Sequence, residues 1–405
     1  MQRTALVALV IVSAAGCTAD GSEALTLTIR GTPATAVALV VVRDGPSADW
    51  QPAKKGALGD YTATVSHPFM VAAVCHESSP GVPDTWHTYE YAYSLQDPVE
   101  DGILVCVELA STTPRSIVGT MMQAGQVQFG KAAVRSDTPN WQISTLTPVS
   151  PDMDIIANSK DHLQIMRDLD LTAFDADHAL PTIDVEANGV ALVPLAVTSD
   201  ATSSETVEAR VVVRTPTMVS EPAPIYAGPL DGVRVAPSSA LTGLVEQVVT
   251  VDASTGTQHR IANVEFTAGD SLAFQLPGPI VHGAWQPLAT DATATPAQAD
   301  APTRVTWASL PFGDDGAVEM QLEGMASDPA SPTTAAAYHL RVTPGYMNDA
   351  VYTSLELATQ LPGFDATWRI DPTRPYTRTF RAIAPSGQRP NETRLVEAIT
   401  PAPAP

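Results

Sequence analysis

Four aspartates within ten residues, Asp168, Asp170, Asp175 and Asp177, form the densest set of hard oxygen ligands in the chain, the donor type that Ca2+ takes. No glycine-turned loop connects them as in a helix–loop–helix calcium site. The plainer reading is a solvated strand end in a very acidic protein, so calcium is the only cofactor the sequence admits as a candidate. Three of the eight histidines, His67, His76 and His87, fall in one stretch and would meet on a metal only if their strands are neighbours. Histidines scattered singly over strands are otherwise surface or satisfied core residues. The run WHTYEYAY puts Tyr89, Tyr91 and Tyr93 on one strand face. Such a row can stack on a sugar or a partner protein, and packing against the core is the expected outcome. Near the C-terminus Arg369, Arg374, Arg378, Arg381, Arg389 and Arg394 are opposed only by Asp371 and Glu392, with Tyr376 and Phe380 interleaved. Guanidinium groups beside aromatic rings suit docking to a carboxylate or phosphate, and Arg369, Arg374, Arg378 and Arg381 are the candidate docking set.

Several catalytic chemistries are excluded by single residues. The stretch Gly125 to Ala132 ends in Gly-Lys-Ala where a phosphate-cradling loop needs Gly-Lys-Ser/Thr to ligate magnesium, and it alternates like a strand. His76-Glu77 opens like a two-histidine zinc helix, but Pro80 stands where the second histidine belongs and would break that helix. No Gly-x-Ser-x-Gly elbow is present. No catalytic residue is assigned, and the chain is expected not to be an enzyme.

The 405 residues carry 44 acidic against 22 basic side chains, a formal charge of −22. A phosphate polymer would be repelled, so nucleic acid is excluded as a partner. The hydrophobic run from Thr4 to Gly16 is too short to span a bilayer and has the length of a signal-peptide core. It ends in Ala14-Ala15-Gly16-Cys17. This resembles the lipobox of bacterial lipoprotein precursors. The resemblance implies a signal peptide over 1–16, acyl chains on Cys17, a spacer over 17–23 and attachment to a membrane through those chains. Thr18 after the cysteine points, within that family, to the outer membrane. A single myristoyl chain anchors only marginally, whereas two or three hold durably. The alternative is an ordinary secretory signal with Cys17 incidental. With Cys17 acylated, Cys75 and Cys106 remain as an even pair in an oxidising compartment, and a disulfide is expected; two buried free thiols are the alternative.

Helical periodicity is almost absent, while short runs rich in Val, Ile, Leu, Thr and Tyr recur between Gly, Pro, Asp and Ser. The fold class is therefore all-β, read as three or four tandem Ig-like or transthyretin-like β-sandwich modules. The expected divisions are 24–112 with the disulfide, 113–199, 200–286, a linker or long loop over 287–302, 303–400, and a disordered tail over 401–405. Leu163, Ile165, Leu169 and Leu171 line one face of a strand, and Asn188-Gly189 reads as a type I′ hairpin turn. In strand rhythm, 113–199 resembles the transthyretin-like modules appended to carboxypeptidases. Trp307, Tyr338, Leu340 and Leu361-Pro362-Gly363 before the stretch FDATWRI resemble the fibronectin type III plan. The functional expectation is a lipid-anchored protein of the cell envelope with a non-catalytic binding or display role, its partner an envelope protein or glycan. Two alternatives are an accessory subunit docking through the Arg-rich terminal module and a hydrolase of envelope polysaccharide or protein.

Overall fold

The computed structural model describes residues 24–32, 37–57, 59–78, 83–97, 103–107, 115–129, 132–136, 140–145, 153–175, 177–217, 223–256, 258–278, 281–282, 286–287, 302–309, 316–328, 330–346, 354–356, 361–371, 374–385 and 393–401. The stretch Ala14-Ala15-Gly16-Cys17, the greater part of 287–302, Pro80, the Gly130-Lys131 pair, Arg389 and the last four residues lie outside them.

The chain is all-β. Its first third supplies β1 (Leu25–Thr32), β2 (Val37–Asp44), β3 (Tyr61–Val65), β4 (Phe69–Glu77), β5 (Thr85–Tyr93) and β6 (Ile103–Val107). The middle supplies β7 (Met153–Asn158), β8 (His162–Leu169), β9 (Thr206–Arg214), β10 (Glu246–Thr255) and β11 (Gln258–Glu265). The last third supplies β12 (Ala317–Met325), β13 (Ala335–Val342), β14 (Thr377–Pro385) and β15 (Thr393–Pro401). These segments are rich in β-branched and aromatic residues, which fit a pleated, half-buried surface.

One twelve-stranded sheet gathers strands from three parts of the chain, in the order Tyr226–Gly228, β9, β10, β11, β15, β14, β12, β13, β5, β4, β2 and Gln51–Pro52. Two pairings join sequence-distant parts. β5 lies parallel to β13 with Tyr89 opposite His339, and β11 lies antiparallel to β15 with Ile261 opposite Leu395. β15 was not foreseen as a strand, although it sits between β11 and β14 and runs on to Pro401, inside the stretch expected to be tail.

A smaller sheet, in the order Lys54–Lys55, β3, β1, β6, packs over β2 and β4. Leu27, Ile29, Tyr61, Val65, Ile103 and Val105 meet Val40, Val42, Phe69, Val71 and Ala73 in that core. β4 is buried from Phe69 through Cys75, on both faces, as its unbroken apolar run requires. Its other face delivers Met70 to a core with Val318, Met320, Leu340 and Phe380.

Residues 125–191 form a five-stranded sheet in the order Ala132–Ser136, Gly125–Phe129, β7, β8, Val190–Ala191. Leu192, Leu195 and Val197 pack with Val211, Val249 and Phe274 in a core shared with Ile156 and Leu163. Three expectations are corrected here. Asn188-Gly189 is not a type I′ turn: Val185–Asn188 is one helical turn, capped by the Asp184 carboxylate accepting from Ala187 N, and Gly189 has φ −95°. Glycine is needed there for closeness, because a Cβ would lie 2.4 Å from the Val185 carbonyl oxygen and 2.6 Å from that of Leu163. The alternation along β8 breaks at a bulge, where Asp168 adopts φ +54°, and Leu171 is buried from a 3-10 turn that follows the strand. The stretch FDATWRI is not a strand either; Ala366–Trp368 is a 3-10 turn capped by Asp365.

Candidate functional site

The twelve-stranded sheet changes which of its faces is cored as it passes β5. Under β12, β13 and β14 the even-numbered residues are buried, among them Val318, Met320, Leu322, Tyr338, Leu340, Phe380 and Ala382. Register then fixes what the opposite face holds. Tyr89 stands beside His339 and Tyr91 beside Arg341; His339 lies beside Gln321, Arg341 beside Glu319, Gln321 beside Thr379 and Glu319 beside Arg381. Farther along the sheet the small sheet covers this same face, and its core takes in only one flank of Tyr89, Tyr91 and Tyr93. A step results where the covering layer ends. At its foot lies a groove of about 200 Å³, lined by Tyr89, Tyr91, Glu319, Gln321, His339, Arg341, Thr379 and Arg381.

The floor is an aromatic ladder. Centroids of Tyr93 and Tyr91 are 6.2 Å apart, those of Tyr91 and Tyr89 6.3 Å, and Tyr89 stacks on His339 at 4.7 Å with 15° between planes. The rings are half-buried on this face, while Thr88, Glu90, Ala92 and Ser94 take the fully buried side of β5. The tyrosine row therefore packs on the core as expected, but on one flank only, and the opposite face of β5 is the fully buried one. Burial pushes the phenols of all three tyrosines up, so they remain neutral donors. Burial, then His87, then Arg381 push His339 down to about 4.

The polar rim is arranged in pairs. Arg341 Nη1 lies 3.4 Å from Glu319 Oε1, and Arg381 Nη1 donates to Gln321 Oε1 at 3.5 Å. Beneath the floor the Tyr338 hydroxyl donates to Glu90 Oε1 at 2.6 Å, both residues buried. A buried carboxylate of this kind stands only with a donor supplied to it, which explains why a glutamate occupies the inner face of β5.

The remaining candidates are dispersed. His67 and Ser66 close on Asp44, whose carboxyl is held below its usual range because the amides of Ser66 and His67 outweigh the effect of burial. His76 packs on Trp86, itself stacked on Trp368. His87 joins the ladder. The three histidines therefore do not meet, and His76-Glu77 ends a strand, not a helix. Asp170 caps the 3-10 turn through Thr172 N, and Asp175 accepts from the amides of Asp177 and His178. Asp168 sits at the bulge and Asp177 donates its amide to Asp175, so of the four it is the carboxylates of Asp170 and Asp175 that serve local backbone. Among the described residues no group of three or more His, Cys, Asp or Glu side chains is placed to hold a metal ion. Of the candidate arginines only Arg381 lines the groove; Arg374 pairs with Asp371 at 3.4 Å and donates to the Pro332 carbonyl, Arg369 follows the 366–368 turn, and the side chain of Arg378 lies outside the described residues. Cys75 is buried beside Val105, and the side chain of Cys106 also lies outside the described residues.

His339, Gln321, Glu319 and Arg341 were not foreseen. Their alternation with buried Tyr338, Leu340, Met320 and Val318 was visible in the sequence, but only the β5–β13 pairing places them beside the tyrosines.

Comparison with protein-family models, with curated proteins and with solved structures returns no match for this chain. No helix among the described residues is long and apolar enough to cross a membrane.

Proposed function

We propose that this protein is a lipid-anchored component of the bacterial cell envelope, placed at the outer membrane, with a non-catalytic binding role exercised through the groove on β5, β13, β12 and β14. The observation that carries the binding role is the groove's composition: a half-buried aromatic ladder bordered by a Glu319–Arg341 ion pair and an Arg381–Gln321 hydrogen bond. Stacking surface and hydrogen-bonding groups at a step between layers suit recognition. The anchor is supported by Ala14-Ala15-Gly16-Cys17 behind an apolar run of signal-peptide length. Two finer points belong to the same proposal. Cys75 pairs with Cys106 in a disulfide, as an oxidising compartment favours. The four large hydrophobic clusters correspond to four Ig-like or transthyretin-like modules, three of which contribute strands to the twelve-stranded sheet.

Mass spectrometry of the mature N-terminal peptide from isolated membranes tests the anchor. The expected mass is that of a peptide beginning at Cys17 with a diacylglyceryl group. An unmodified peptide beginning elsewhere, from a protein recovered entirely in the aqueous fraction, overturns the proposal.

A further inference from the structure

We propose that the groove beneath the small sheet is a saccharide site, selective for neutral glycan chains over acidic glycans and over peptides. The inference rests on the binding role proposed above and names the ligand class.

Three observations carry it. The first is the surface offered to a ligand. Tyr91, Tyr89 and His339 line the groove as a continuous row of stacked rings with centroids 6.3 and 4.7 Å apart, and the ring edges give an apolar strip on which sugar C–H groups pack without needing charge. The second is the state of the polar border. Glu319 is joined to Arg341 and stands opposite Arg381 in register, while Arg381 donates to the neutral amide of Gln321, so the one carboxylate of the border lies between its two guanidinium groups. Hydroxyl groups can insert at the edge of such pairs as both donors and acceptors, whereas a second carboxylate would compete with Glu319 for Arg341. The protein's charge of −22 adds a long-range bias against acidic polymers. The third is shape. At about 200 Å³ the groove is open along the sheet and takes one or two sugar rings of a longer chain. An extended peptide that adds to a sheet needs an unpaired strand edge. Here β5, β13, β12 and β14 are all interior strands, each hydrogen-bonded on both sides.

The experiment uses the full-length protein in a detergent without a sugar headgroup. Maltohexaose, cellohexaose and chitotetraose are compared with a galacturonic acid hexamer and with a mixed octapeptide library, by saturation-transfer NMR and calorimetry. At least one neutral oligosaccharide is expected to bind, with saturation strongest on ring C–H protons. Tyr91→Leu, which keeps apolar bulk on β5 but removes the ring, is expected to weaken that binding at least tenfold. Tyr91→Phe is expected to retain binding, and Gln321→Ala to weaken it severalfold, with circular dichroism unchanged in each. Tyr226→Phe, on the far edge strand, is the control. Failure of all three neutral probes, binding confined to the galacturonate or the peptides, or binding indifferent to Tyr91→Leu overturns the inference. Acylation of Cys17 is read from the same preparation. An acylated protein that ignores neutral sugars sinks the ligand class alone, and an unacylated one that binds them sinks the anchor alone.

Discussion

His87 Nδ1 lies 3.3 Å from His339 Nε2 across the parallel pairing of β5 with β13, so one imidazole donates to the other and at least one is neutral. Glu77 Oε2 meets His87 Nε2 at 3.1 Å, and Tyr89 stacks on both rings. Burial lowers the His87 pKa despite the opposing pull of Glu77 and Glu323, and burial with His87 and Arg381 takes His339 to about 4. The unfolded chain therefore binds more protons than the folded one between about pH 6.5 and pH 4, and stability must fall as pH falls through that window. Thermal melts at pH 7.5, 6 and 5 should show Tm dropping, with a shallower drop in His339→Gln. Equal slopes in the two proteins would assign the pH dependence to other groups.

Glu205 and Arg260 form the most enclosed ion pair among the described residues. Two parallel bonds, Nε to Oε1 at 2.7 Å and Nη2 to Oε2 at 2.6 Å, tie the 202–205 turn to β11, while Arg260 Nη1 donates to the Pro277 carbonyl. Hydrogen bonding from Arg260 brings the Glu205 carboxyl down to about 2. The sign is opposite to that of an uncharged buried acid: the contribution is fully present above about pH 4.5 and is lost as pH falls through about 2. Glu205→Gln leaves a buried guanidinium half paired and should cost about 3 kcal/mol at pH 7, measured by urea denaturation. A change below about 0.5 kcal/mol would show the pair to be solvated.

Asp168 tests the structural account of the acidic cluster. Its backbone N–H and the Arg167 Nε both donate to Asp154 Oδ1, at 3.2 and 2.8 Å, and this holds the bulge in β8 at φ +54°. Side chains branched at Cβ are strained there and glycine is not. Asp168→Val should therefore lose about 1 to 2 kcal/mol in chemical denaturation, and Asp168→Gly should stay within about 1 kcal/mol of the parent. If the aspartates bound calcium instead, Asp168→Gly would abolish a calcium-dependent rise in Tm that the parent shows.

The all-β class was legible because strand chemistry is local: Val, Ile and Tyr between turn formers identify β2, β4, β9 and β10 whatever they pair with. The groove was half legible. Tyr89, Tyr91 and Tyr93 share a face by period alone, but which face of β5 is inner depends on the partner strand. The inner positions go to Glu90 and Thr88, polar residues that read as solvent-facing until Tyr338 supplies a donor. His339 and Gln321 lie more than 200 residues from the tyrosines, and no local signal spans that distance. β15 was hidden by its composition: Leu395, Val396 and Ile399 are diluted by charge and followed by a Pro-Ala tail. Asn188-Gly189 misled because Asp184, four residues before Asn188, caps a helical turn more effectively than the dipeptide closes a hairpin.

Two glutamines do the work of missing strands. Gln128, buried on the Gly125–Phe129 strand, accepts from Ala223 N at 2.8 Å and donates to Ala223 O at 3.3 Å, pairing with that residue as a neighbouring backbone would. Gln247 on β10 accepts from Ala236 N at 2.7 Å and donates toward the carbonyls of Ala236 and Phe266. Each therefore satisfies backbone groups of a loop held against a core. Replacing either by leucine keeps the volume but strands a buried N–H, which costs about 1 to 3 kcal/mol. Both variants should be destabilised by about 2 kcal/mol. The local signature is sharper than the global one: exchange of the Ala223 amide should accelerate in Gln128→Leu alone, and that of Ala236 in Gln247→Leu alone. Equal acceleration at both amides in either variant would mean that the loops open only with the whole fold, and that the amide pairings add nothing of their own.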